Sequence, residues 1–214
     1  MINGVAVEQV SYLKFLGVLI NENLTRSNYI RTLTTKVSKN IGVIRRISKV
    51  LPSDVLYSLY NILIKPYFEY CNIVWATNKT ALSDKLFILQ KKAIRILTSS
   101  QWFTHTAPLF REKCILKICD INLVQVATFM FRYVNNLLHS SFANYFVFDS
   151  DIHGYDTRHC KDIHLIYSRT NLRGSCIQIK GPKVSNAIPD VIKNVKFVHA
   201  FKRKFIGTIY KEYK

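Results

Sequence analysis

A chain of 214 residues with 31 Lys and Arg against 13 Asp and Glu, a formal charge of +18, is long enough for one domain or two small ones and can bury a real core. The excess is spread along the chain, 14 bases to 5 acids over residues 1–100 and 17 to 8 over residues 101–214, so it is not a basic tail on a neutral body. This bias argues against a binding surface for cations or basic partners and points to a polyanion, either nucleic acid or an anionic membrane surface.

The opening MINGVAVEQVSYLKF lacks a long apolar stretch ahead of a small-residue cleavage site, so no secretory leader is expected. No uninterrupted apolar run reaches the length of about 18 residues that a membrane-crossing helix needs. The most apolar stretch, 55–75, is interrupted by Lys65, Pro66 and Glu69. The five cysteines, Cys71, Cys114, Cys119, Cys160 and Cys176, are odd in number and widely spaced. That pattern favours reduced thiols inside a cell.

The first element is LKFLGVLINENLT, residues 13–25, which reads as a strand, a tight turn at Gly17 and a second strand. Val5, Val7, Val10 and Tyr12 add further strand formers ahead of it. Residues 27–51 form an amphipathic helix: Ile30, Leu33, Val37, Ile41, Ile44, Ile47 and Leu51 recur every three or four positions. Arg31, Lys36, Lys39, Arg45, Arg46 and Lys49 occupy the remaining arc, and no acid lies between Glu22 and Asp54. A merely solvated face normally mixes signs, so this one is read as phosphate-facing.

Pro52-Ser53-Asp54 ends that helix and starts another, with Ser53 as the expected N-cap and Asp54 favourable to the helix dipole. Pro66 is expected to kink or stop this second helix. A helix over 82–97 turns Leu82, Leu86, Leu89, Ala93, Ile96 and Leu97 inward and Lys85, Lys91, Lys92 and Arg95 mostly outward. A short helix follows over 107–118. Asp120 then opens a long one reaching about 139, through Val124, Ala127, Phe131, Val134 and Leu138.

Near residue 140 the composition changes. Residues 141–195 carry three of the seven Gly and two of the five Pro, the acids Asp149, Asp151, Asp156 and Asp162, and two β-like pieces at 163–167 and 175–180. The last element, 198–213, is a basic amphipathic helix with Phe201, Phe205, Ile209 and Tyr213 opposite Lys202, Arg203, Lys204 and Lys211.

Several chemistries lack their residues. Two-metal phosphoryl transfer needs clustered carboxylates, and no two acids are adjacent anywhere in the chain. There is no P-loop, dinucleotide fingerprint, HExxH or GxSxG. HGYDTRHCKDIH offers His153, His159, Cys160 and His164, and CILKIC offers Cys114 and Cys119, but their spacing resembles no common zinc site. The expectation is polar loop histidines and buried thiols. Most of the aromatic residues fall on apolar stripes and are assigned to the core.

Eight landmarks occur in order: YLKFLGVLINENLT with its basic helix, LYNILIKPYFEYCNIVWA, LQKKAIRIL, HTAPLF, ILKICDI, YDTRH, GPKVSNAIP and FKRKF. Together they resemble the C-terminal part of the reverse transcriptases of LINE-type, non-long-terminal-repeat retrotransposons, especially the Jockey-like group. The resemblance covers essentially the whole chain. It implies a mainly α fold, a helical thumb-like bundle preceded by a small β-hairpin and followed by a mixed α/β segment. The implied divisions are a primer-grip-like hairpin over 1–25, a helical thumb-like domain over 26–140 and a C-terminal segment over 141–214.

By the same resemblance, Lys14, Phe15, Leu16 and Gly17 match the primer grip, with Lys14 and Gly17 expected at the primer. Arg31, Lys36, Lys39, Arg45, Arg46 and Lys49, with Lys91, Lys92 and Arg95, are expected along a template–primer duplex of RNA and DNA. Tyr155, Thr157 and Arg158 match a Tyr-x-Thr-Arg element without an assigned role. The family's paired palm aspartates are absent from this sequence. No cofactor is therefore expected here, magnesium belonging to a palm that, with the fingers, would be the chain's partner in one polyprotein. Catalysis by the chain alone is not expected. Ser185-Asn186 stands where the family usually has Trp-Asn. A nuclear location follows only from the family, beyond a short KRK at 202–204; no membrane partner is implied. The competing expectation is a transposon-derived, free-standing nucleic-acid-binding protein or a relic without function.

Overall fold

The computed structural model describes residues 10–76, 81–152 and 162–213. A two-stranded antiparallel hairpin comes first, β1 (Tyr12–Phe15) and β2 (Val18–Asn21), with Tyr12 opposite Asn21 and Phe15 opposite Val18. Helices follow: α1 (Ser27–Ile47), α2 (Ser53–Leu63), α3 (Lys65–Glu69), α4 (Asn72–Trp75), α5 (Ala81–Leu97), α6 (Ala107–Glu112) and α7 (Ile118–Val134). After a 3-10 turn at Ser140–Phe142 come α8 (Asp149–Ile152), α9 (Asn171–Gly174), α10 (Ile177–Ala187), α11 (Asp190–Lys193) and α12 (Val198–Glu212). The chain is mainly α with a small hairpin near its start, as its periodicities require.

The stripe anticipated for α1 is the buried one. Ile30, Leu33, Val37, Ile41 and Ile44 are all buried, and the helix packs mainly on α5 through Leu86, Ala93, Ile94 and Leu97. Each such side chain contributes about 1.5–3 kcal/mol when removed from water. The centre of the molecule is α7. Ile118, Ile121, Val124, Val126, Ala127, Met130, Phe131 and Tyr133 are buried around its whole circumference, the mark of a helix surrounded by others. It touches α3, α4 and α5 on one side and α10 and α12 on the other. Phe131 stacks on Phe201 of α12 with ring centroids 4.4 Å apart, and all four inward residues expected for the last helix, Phe201, Phe205, Ile209 and Tyr213, are buried.

Some local expectations change. Ser53 is the first residue of α2 rather than its cap; Pro52 takes the cap position, and no side chain bonds there. Pro66 does what its ring dictates: α2 stops at Leu63 and Pro66 sits in the first turn of α3. The long helix ends at Val134, which is 46% exposed and leaves the buried stripe, while Leu138, beyond the helix, is half-buried against the cluster of Val126, Met130 and Tyr133. Residues 175–180 contain the start of a helix, not a strand. The alternation Ile177-Gln178-Ile179-Lys180 mimics a strand, but it docks Ile179 into the core beside α7 as the first turn of α10. Within 163–167 only Ile163 pairs, in a single antiparallel bridge to Phe148. Cys114 and Cys119, expected to be buried, are exposed. The Tyr155, Thr157 and Arg158 element lies outside the described residues, as do His153, His159 and Cys160 of the zinc comparison.

Candidate nucleic-acid interface

The turn between β1 and β2 has two residues, Leu16 and Gly17, with φ of 45° and 81°. Two positive φ values in a two-residue hairpin loop are the signature of the tight mirror-image turn that suits strand twist. Gly17 accepts that conformation without a Cβ penalty; Leu16 does not. A tertiary contact holds Leu16 there. The hydroxyl of Tyr70 donates to its carbonyl oxygen at 2.5 Å, and Tyr70 sits at the end of α3. The hairpin is thereby tied across to the helical body.

A groove of about 420 Å³ opens between the hairpin, α1 and α3. Lys14 and Gly17 line one wall, with Leu19 opposite Lys14 on the same hairpin face. Tyr29, Thr32 and Lys36 of α1 line the second, and Pro66, Tyr67 and Tyr70 the third. Among the described residues no acid lines it. The Lys36 ammonium lies 6.0 Å from the centroid of the Tyr67 ring, at the edge of cation–π range. Burial raises the Tyr29 phenol above its ordinary pKa, which keeps its hydroxyl a donor, and with the Lys14 and Lys36 side chains the groove presents a donor set for a phosphodiester. It contains no carboxylate that could act as a base.

Lys14, Gly17 and Lys36 therefore meet at one place. Lys36 also belongs to the outer face of α1, where Arg31, Lys39, Arg45 and Arg46 are exposed, with exposed Lys49 just beyond the helix end. At 100° per residue these side chains fan over about half the helix circumference. None of the ion pairs seen among the described residues involves them. Arg45 and Arg46 close the last turn, where the helix dipole favours cations. The α5 residues differ. Lys92 is exposed, but Lys91 lies 4.4 Å above the Phe87 ring and Arg95 donates from Nε to the Thr104 carbonyl at 3.1 Å. Both are half-buried and already engaged with the protein.

Tyr29, Thr32, Tyr67 and Tyr70 were not singled out from the sequence. The hint was Lys65-Pro66-Tyr67-Phe68-Glu69-Tyr70, where two tyrosines three apart flank the buried Phe68. Among the described residues no three His, Cys, Asp or Glu side chains form a group that could hold a metal ion, and no helix is long and apolar enough to cross a membrane.

No family model matches the chain, and no solved structure matches it. Two curated relatives do. One is a probable RNA-directed DNA polymerase from transposon X-element of Drosophila melanogaster, 27% identical over 123 residues. The other is the RNA-directed DNA polymerase from mobile element jockey of Drosophila funebris, 25% identical over 124 residues. Each match takes in 56% of this chain and 13% of the relative, so the chain spans only a small part of the length of the curated relatives it matches. Both relatives are RNA-directed DNA polymerases of mobile elements, one of them jockey, and this similarity agrees with the resemblance to LINE-type, Jockey-like reverse transcriptases that the ordered landmarks of the sequence carry.

Proposed function

We propose that this region is the primer grip and thumb of its reverse transcriptase, and that it holds the template–primer duplex beside a palm encoded elsewhere in the same polyprotein. The carrying observation is the groove that joins Lys14 of the hairpin to Lys36 of α1, with no acid lining it among the described residues, and that leads through Lys36 to the exposed cations of the α1 outer face. Lys14 and the Gly17 turn meet the primer strand. Arg31, Lys39, Arg45, Arg46 and Lys49 neutralise duplex phosphates, with Lys92 extending the track and Lys91 and Arg95 bracing it. Such contacts fix register and orientation without reading bases. In this reading the palm supplies the metal-binding carboxylates, and magnesium belongs with it.

The test is a titration of the 214-residue chain with an RNA–DNA hybrid over a range of salt. Affinity falls steeply as salt rises, because displaced counterions drive binding. Changing Arg45 and Arg46 together to Ala lowers the slope of log K against log salt by about 2, at roughly 0.9 per phosphate contact. It weakens hybrids of unrelated sequence equally. An unchanged affinity and slope would show that the basic face is only solvated.

A further inference from the structure

The turn after α5 displays two aromatic rings that the fold does not use. Trp102 is 84% exposed and Phe103 65% exposed. Their centroids are 5.9 Å apart and the rings nearly perpendicular, at 86°, so each keeps a free face or edge. The display is built in. Helix α5 ends with Ser99 in the left-handed region, φ 50°. Its amide donates to the Ile96 carbonyl at 3.3 Å, and the Ser100 amide donates to Arg95 at 2.9 Å. This is the paired bonding of a Schellman stop, here without glycine. The next turn closes by Thr104 N–H donating to Gln101 at 3.1 Å, which leaves Trp102 and Phe103 at its corner.

The surroundings select the occupant. Arg95 reaches under the turn, its Nε donating to the Thr104 carbonyl. Lys92 is exposed one helical turn earlier on the same side. No acid occurs between Asp84 and Glu112, a stretch that holds Lys85, Lys91, Lys92, Arg95 and Arg111. The corner is flanked by Gln101, Thr104 and His105, polar groups able to hydrogen-bond a base edge. Exposed rings, with Arg95 bonded to their turn and a flanking sequence that carries bases and no acid, match a site that stacks bases and tracks a phosphate backbone. A protein partner would more often meet a broader apolar patch.

We infer that Trp102 and Phe103 form a stacking platform for an unpaired nucleobase, so that this region binds single-stranded nucleic acid at a place distinct from the duplex groove. The inference rests on the nucleic-acid reading above. It adds a substrate class, since a blunt duplex has no base free to stack there.

The chain provides its own probe. Of its two tryptophans, Trp75 is 1% exposed, with its indole N–H donating to the Tyr70 carbonyl. Quenching of indole fluorescence by a bound base therefore reports Trp102. Titrating the chain with single-stranded oligouridylate gives saturable quenching. Because replacing Trp102 removes that fluorophore, the variants are compared by the anisotropy of end-labelled oligouridylate, in which Trp102→Ala and Phe103→Ala each weaken binding about tenfold, within the range measured for base–aromatic stacking. Trp102→Phe stays within about threefold of wild type, and both alanine variants bind a blunt RNA–DNA hybrid within about twofold. Oligouridylate binding without quenching, or binding unaffected by Trp102→Ala, overturns the platform while leaving the duplex reading standing. Quenching by anionic vesicles but not by oligouridylate assigns the rings to a membrane surface and overturns it too. Failure to bind either nucleic acid removes both readings.

Discussion

Single residues decide how closely the helices approach. Gly181 lies inside α10, where a helical glycine ordinarily costs about 1 kcal/mol relative to alanine. A Cβ built on it would lie 2.5 Å from the Met130 sulfur, and Met130 is fully buried in α7. The missing side chain is what lets α10 close on α7. Gly181→Ala should therefore destabilise by about 1–2 kcal/mol, overpacking outweighing the gain in propensity. Gly207 in α12 is the control: nothing lies within 4 Å of its added Cβ, and Gly207→Ala should stabilise by about 0.5–1 kcal/mol. Urea unfolding separates the two as opposite shifts in midpoint at constant slope. Both glycines are plain in the sequence, but nothing in GPKVSNAIP tells that a methionine fifty-one positions earlier stands against the first of them.

At the scale of elements, the polar residues buried between helices do the joining. Gln90 of α5 is fully buried. Its Nε2 donates to the Tyr60 hydroxyl at 3.1 Å and to the Leu116 carbonyl at 2.9 Å, while its Oε1 accepts from the Ile118 amide at 2.9 Å. One side chain thus bonds α2, α5 and the start of α7. Gln90→Leu leaves the Leu116 carbonyl and the Ile118 amide without this partner and should cost about 2–4 kcal/mol, since each stranded buried group costs about 1–3 kcal/mol. Calorimetry or denaturant unfolding measures it; a loss under about 1 kcal/mol, less than one stranded group costs, would mean the groups find other partners. The apolar periodicity of α5 was legible, and Leu86, Ala93 and Leu97 lie where it puts them. Gln90 was not, because a glutamine among lysines reads as surface. Its burial follows from which helix ends meet beneath it.

For the whole molecule, charge and tyrosine protons set the working range. A net charge of +18 repels itself, and added salt relieves that repulsion. At high pH another term enters. Burial raises the phenol pKa of Tyr60 above the ordinary 10.0. It pushes Tyr210 up to about 12. Tyr213 is raised by burial first and then by its hydroxyl bond to Asp120, while that hydroxyl also accepts from the Lys117 amide. Above the ordinary value the unfolded chain has released these protons and the folded chain still holds them. The folded state then binds more protons, and stability falls as pH rises. The contribution is intact below pH 10 and is lost progressively above it. Circular dichroism melts should show melting temperature dropping between pH 10 and 12, with a shallower drop in Tyr213→Phe.

By itself the sequence determined the mainly α class, the one-sign outer face of α1, the tight turn at Gly17, the break at Pro66 and the resemblance to Jockey-like polymerases. These depend on local spacing, on backbone permissiveness and on the order of landmarks, all of which are written along the chain. The tertiary structure decided that Ile177–Ala187 is a helix, that Tyr29, Tyr67 and Tyr70 join Lys14 and Lys36 in one groove, and that Trp102 stands in solvent while Trp75 is buried. The physical reason is the same in each case. A short alternating run or a single aromatic suits more than one environment, and the choice falls to whichever arrangement buries the most apolar surface elsewhere.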